Sequence, residues 1–142
     1  ADREAVHELG LDDRIELIPH VPRRESLRLQ RESDVLLLLI PEAGGRGRGV
    51  LSGKVFEYVA AERPILAVVP PDGAAAQLVR DANVGIVAAP EDVDAIRDAL
   101  VELHARWQAG RLDGTPLSQE WRDRLSRRAR VEELAELLRG LA

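Results

Sequence analysis

Ser52-Gly53-Lys54-Val55-Phe56-Glu57-Tyr58-Val59-Ala60-Ala61-Glu62-Arg63-Pro64-Ile65-Leu66-Ala67-Val68-Val69 is the stretch that decides the fold. Its first half sets Val55 with Val59 and Phe56 with Ala60 at helical spacing. Its second half, Ile65–Val69, is a short apolar run that does not alternate, the pattern of a strand buried on both faces. A helix feeding such a strand is the repeating unit of a parallel sheet, because parallel neighbours need crossover connections.

The pattern extends in both directions. Val35–Ile40 reads as another strand buried on both faces, Ile15–Ile18 as an earlier one and Gly85–Ala88 as a fourth. Val6 and Leu9 precede the first of these, and Ala75, Leu78, Val79 and Ala82 precede the last, all at helical spacing. The expectation is an α/β domain, a Rossmann-like parallel sheet with flanking helices. From Glu91 onward the pattern is all helix: Val93, Ile96, Leu100, Leu103 and Trp107 keep three-four spacing, and the stretch 109–116 breaks it. Ser118 then caps a long helix over about 119–140, with Trp121, Leu125, Leu134, Leu138 and Leu141 as its apolar stripe.

Composition narrows the function classes. At 142 residues, 45% of them hydrophobic, the chain has the length of one domain with one core. Twenty Lys and Arg against 25 Asp and Glu leave a net charge of -5, so no overall field attracts nucleic acid. No apolar run is long enough to span a bilayer, and residues 1–20 lack the order of a signal peptide; a cytoplasmic protein is expected. The absence of Cys rules out disulfides and thiolate metal sites and fits a reducing compartment. His7, His20 and His104 lie far apart with no carboxylate clustering, so no metal site is expected. The chain starts at Ala1 and contains no Met, as a piece of a longer protein would, or a chain whose Met was removed before Ala.

Ligands of open parallel sheets bind beyond the carboxyl ends of the strands. The loop from Pro41 to Gly53 lies there and carries five Gly and two Arg before Lys54; its low-complexity centre is Gly44-Gly45-Arg46-Gly47-Arg48-Gly49. Glycines let backbone N–H groups approach an anion, and a helix start adds partial positive charge, so a diphosphate is stabilised at Ser52, Gly53 and Lys54. A plain solvated loop satisfies the same composition. Val55 follows Lys54 where a P-loop needs Ser or Thr. Glu57, about one turn into the helix, can accept two hydrogen bonds from a ribose diol or simply complement the helix dipole. In Pro70-Pro71-Asp72-Gly73, Asp72 reads as an N-cap before it reads as a ligand contact. With no Gly-x-Ser-x-Gly elbow and no Cys, no catalytic nucleophile is visible.

The segment Ser52–Leu66 resembles the donor-site helix of GT-B-fold retaining glycosyltransferases of the group 1 type. Leu9-Gly10-Leu11-Asp12-Asp13-Arg14-Ile15, His20-Val21-Pro22, Ser33-Asp34-Val35-Leu36-Leu37, Val84-Gly85-Ile86-Val87 with Pro90-Glu91-Asp92, and Ser126-Arg127-Arg128-Ala129 extend the likeness over nearly the whole chain. In such enzymes the C-terminal domain binds a nucleoside diphosphate sugar and a separate N-terminal domain binds the acceptor. The resemblance thus implies that Glu57 holds the ribose hydroxyls, that the backbone after His20, at Val21, meets the nucleobase, and that Ser52, Gly53 and Lys54 lie near the diphosphate. Gly49 stands where the family often has a Glu that touches the sugar, Glu62 replaces a Gly, and Gln77 replaces a Glu. The catalytic groups are expected in the N-terminal domain and the chain alone is expected to be inactive.

The resemblance also implies a donor-binding domain over residues 1–117 and a C-terminal helix over 118–142 that crosses to the N-terminal domain, with Arg127, Arg128 and Arg130 either docking there or solvated. The family's first strand of this domain, central in the sheet, and its Gly-rich phosphate loop should precede Ala1. A sheet without that strand is expected to rearrange, to take a strand from a neighbouring chain by exchange or dimerisation, or to close into a continuous sheet. Two other functions fit the sequence less well: half of a sugar-nucleotide epimerase, and a non-catalytic interaction domain using the glycine loop and the last helix.

Overall fold

The computed structural model describes residues 2–42, 44, 47–112 and 114–140, so Gly45 and Arg46 of the glycine loop lie outside the described residues. The side chains of Arg127 and Arg130 do too. The elements are α1 (Asp2–Glu8), α2 (Arg23–Glu32), β1 (Leu36–Leu39), α3 (Gly53–Ala61), β2 (Ile65–Val68), α4 (Ala74–Asp81), β3 (Gly85–Ala88), α5 (Val93–Gln108), α6 (Gln119–Leu125) and α7 (Arg127–Arg139). The strands form one parallel sheet in the order β1-β2-β3, with Leu36 beside Ile65 and Ile65 beside Gly85.

Packing follows the expected alternation. On one face of the sheet Leu36, Leu38, Ile65 and Ala67 meet Val55 and Val59 of α3 and Ala75, Ala76 and Val79 of α4. On the other, Leu66 and Val68 meet Ala99 and Leu103 of α5. The central strand β2 is therefore buried throughout. Strand β1 is not, contrary to expectation: Leu37 and Leu39 are 51% and 63% exposed. Helix α5 lies against β2 and β3, and the outer face of β1 stays open because no described element covers these two side chains.

Ile15–Ile18 forms no strand either. A strand exists through its ladder partners, and β1, the outermost strand, pairs only with β2. Residues 2–8 are helical, so no strand from the first ten residues fills the sheet, which runs without a gap across β1, β2 and β3.

Helix α2, which has no apolar stripe in the sequence pattern and buries no residue fully, carries an exposed charge cluster and is capped at its C-terminal end. Arg28 donates to Glu25 (Nε to Oε2 3.0 Å, Nη2 to Oε1 2.5 Å) and also bonds Glu32. Ser33 closes the helix through its hydroxyl onto the Leu29 carbonyl at 2.8 Å. The C-terminal segment is two helices, where one was expected over 119–140. Ser126 is extended (φ -67°, ψ 150°) and its hydroxyl accepts from the Ala129 N–H at 3.1 Å, so it ends α6 and caps α7. Ser118 caps α6 as expected, accepting from the Trp121 N–H at 3.2 Å.

Glu62 ties the chain after α5 back to α3. It ends α3 in the left-handed region at φ 55°, a conformation costing a non-glycine residue about 1 kcal/mol. Its carbonyl accepts from the Thr115 N–H at 2.9 Å, and its carboxylate receives Arg122 of α6 at 2.5 Å. Leu117 and Leu125 then pack onto the α3 side of the core.

Candidate functional site

Helix α3 starts at Gly53 after Ser52, whose extended backbone sets the entry and whose hydroxyl makes no capping bond. The Val55 N–H turns back onto the Ser52 carbonyl at 3.1 Å, and a side chain on Gly53 would meet nothing within 4 Å. The start of α3 is therefore uncrowded beside Gly53, and the first N–H groups of a helix have no partner within it, the general basis of anion binding at such ends. Lys54 is exposed on this turn and forms no ion pair among the described residues.

Glu57 lies one turn further on, half-buried, on the side of α3 that faces α2. Its Oε1 sits 2.9 Å from Nη2 of Arg23, the first residue of α2. The segment His20-Val21-Pro22 leads directly into α2, the helix whose first residue makes this contact. His20 is exposed and Val21 half-buried, and chain continuity through Arg23 places both at the α2 start. Between the two helices lies a cavity of about 270 Å³ lined by Arg23, Leu27, Gln30, Phe56, Glu57 and Ala60 among others. Burial and the neighbouring Glu57 carboxylate push the Tyr58 phenol upward. Arg23 carried no signal in the sequence: a lone Arg after Pro22 in a basic pair becomes informative only once α2 is seen beside α3.

The glycine loop is tethered rather than freely solvated at its described residues. A side chain on Gly47 would lie 2.6 Å from the Pro41 carbonyl oxygen, and the Arg48 carbonyl accepts from the Ala74 N–H at 2.8 Å. The Arg48 guanidinium reaches Glu42 at 3.1 Å and Asp72 at 3.2 Å. Asp72 is therefore the partner of Arg48, and Gly73 occupies the N-cap position of α4 in its place, without a side-chain cap. The position is tight: an added side chain would meet the carbonyl oxygens of Arg48 at 3.0 Å and Pro70 at 3.1 Å, which would have to give by a few tenths of an ångström. Gly49 is exposed with open space beside it.

Among the described residues no three His, Cys, Asp or Glu side chains group as metal ligands, and no helix is long and apolar enough to cross a membrane. No curated protein and no solved structure matches the chain. A family model does: glycosyl transferases group 1, over residues 1–106, a span that includes α3, the glycine loop and His20–Arg23.

Proposed function

The chain belongs to the glycosyl transferases group 1 family, and on that premise we propose that it binds a nucleoside diphosphate sugar as the donor-binding half of a GT-B-type, retaining transfer. Family membership supports glycosyl transfer in general; the site supports the finer reading. Glu57 receives the ribose diol, the open first turn of α3 with Ser52, Gly53 and Lys54 receives the diphosphate, and the backbone at His20 and Val21 meets the base. Acceptor binding and the catalytic groups are assigned to an N-terminal domain of the parent enzyme, in a cytoplasm whose reducing conditions suit a chain without Cys.

The observation that carries this reading is the Arg23–Glu57 contact, because it keeps a half-buried carboxylate of α3 beside the first residue of α2, the helix into which His20–Pro22 leads. A carboxylate in that place can accept both hydroxyls of a cis-diol, and charge-assisted hydrogen bonds are the strong kind. Titration calorimetry with UDP, GDP and ADP and their sugar derivatives tests it. Glu57→Ala is expected to weaken the preferred nucleotide roughly tenfold or more. Unchanged affinity would remove the ribose role. Lys54→Ala is expected to weaken a diphosphate while leaving the free nucleoside untouched.

A further inference from the structure

Arg23 stands out from the other arginines near the site. Arg48 is engaged by two carboxylates of the loop and of the turn before α4, and Arg63 donates to the Arg31 carbonyl at 2.7 Å. Arg23 alone reaches Glu57, from a side chain 76% exposed onto one 28% exposed. The nearest approach is from Nη2 of Arg23 to Oε1 of Glu57, at 2.9 Å. A carboxylate offers about four lone-pair sites and an arginine five N–H donors, so both groups keep capacity for a ligand.

We propose that Arg23 is a positioning residue for Glu57, holding its carboxylate in the orientation that accepts a ribose diol. The proposal rests on the donor-binding reading above and deepens it. A half-buried glutamate still has more than one rotamer open to it, and favouring one before the ligand arrives lowers the ordering cost of binding. The backbone supplies the geometry: Arg23 opens α2, and the far end of α2 is pinned by the Arg63 bond to Arg31. The helix therefore presents Arg23 to Glu57 at a fixed height. Pairing with Arg23 need not close the site against the diol, because a carboxylate has about four lone-pair sites and one contact does not fill them.

The alternative is that Arg23 only fastens α2 to α3. A ribose-specific readout separates the two. The protein and its Arg23→Gln, Arg23→Lys and Glu57→Gln variants are titrated with UDP, GDP and ADP and with the 2′-deoxy form of each, and thermal midpoints are recorded in parallel. The proposal expects the wild type to prefer a ribonucleotide to its deoxy form. Arg23→Gln is expected to lose about fivefold in ribonucleotide affinity, a size typical of a lost charge-assisted contact, with little change for the deoxynucleotide. Arg23→Lys should recover part of that preference, and midpoints should stay close to wild type as for an exposed pair.

If Arg23→Gln keeps the preference while Glu57→Gln abolishes it, Arg23 is not a positioning residue and the donor reading stands. Tighter ribonucleotide binding by Arg23→Gln overturns the proposal in the opposite sense, making Arg23 a competitor of the diol. Absence of nucleotide binding, or a wild type without ribose preference, sinks the donor reading and this inference together.

Discussion

Two glycines show how unequal single positions are in this chain. A methyl group on Gly85 would lie 1.9 Å from the Ile65 carbonyl oxygen, inside the β2–β3 ladder where Ile65 and Gly85 are register partners. The obstacle is backbone, which cannot rotate away as a side-chain tip would. Gly85→Ala is therefore expected to cost about 3 kcal/mol, at the upper end for overpacking. Gly49→Ala meets open space and is expected to stay within about 0.5 kcal/mol of wild type. Urea unfolding of both variants checks this; equal midpoints would refute it. Glu57 sits at the same scale, and sequence alone left its role open between helix-dipole partner and ligand. What the sequence could not supply was Arg23, since an ion pair 34 positions apart has no local pattern.

At the scale of elements, apolar spacing found the helices that bury a stripe and missed the one that does not. Helices α3 and α4 place Val55, Val59, Ala75, Ala76 and Val79 in the core; the apolar spacing singled out all of these but Ala76, and also Phe56 and Ala60, which are exposed. Helix α2 buries no residue fully and carries Arg28 between two glutamates, a signal that periodicity of apolar residues does not register. Ser126 was legible only within the likeness to a family motif, and its extended backbone splits one expected helix in two. For α2 the charges make a prediction. The hydrogen bond from Arg28 holds the Glu25 carboxyl below its ordinary value of 4.5. A depressed folded pKa means the stabilisation is complete above the unfolded value and is lost as pH falls through the lower folded one. Arg28→Ala is accordingly expected to lower helical content modestly at neutral pH, and its difference from wild type should shrink on acidification below about pH 4. Circular dichroism across that range measures it. A difference that persists undiminished in acid would show that Arg28 acts by packing alone.

For the whole molecule, burial proved to be a property of neighbours rather than of composition. Ile65–Val68 and Leu36–Leu39 are equally apolar, yet only the first is covered on both faces, because α5 reaches β2 and β3 and leaves Leu37 and Leu39 exposed. Ile15–Ile18 carries the pattern of a strand without a ladder to join. The result is an open sheet whose β1 edge is unpaired and carries an exposed apolar face, and an exposed apolar edge strand is a template for pairing with another chain. The two faces of β1 should then respond oppositely. Leu38 is 2% exposed, and Leu38→Ala is expected to cost about 2–5 kcal/mol through the cavity it leaves. Leu37→Lys with Leu39→Lys should change folding stability by less than about 1 kcal/mol while suppressing edge-to-edge association, since charge on an edge strand blocks pairing. Sedimentation velocity over a concentration series should show self-association of the wild type that the double lysine variant lacks. A wild type that stays monomeric throughout would mean the β1 edge is silent, and a double variant that unfolds would mean Leu37 and Leu39 are covered in solution after all.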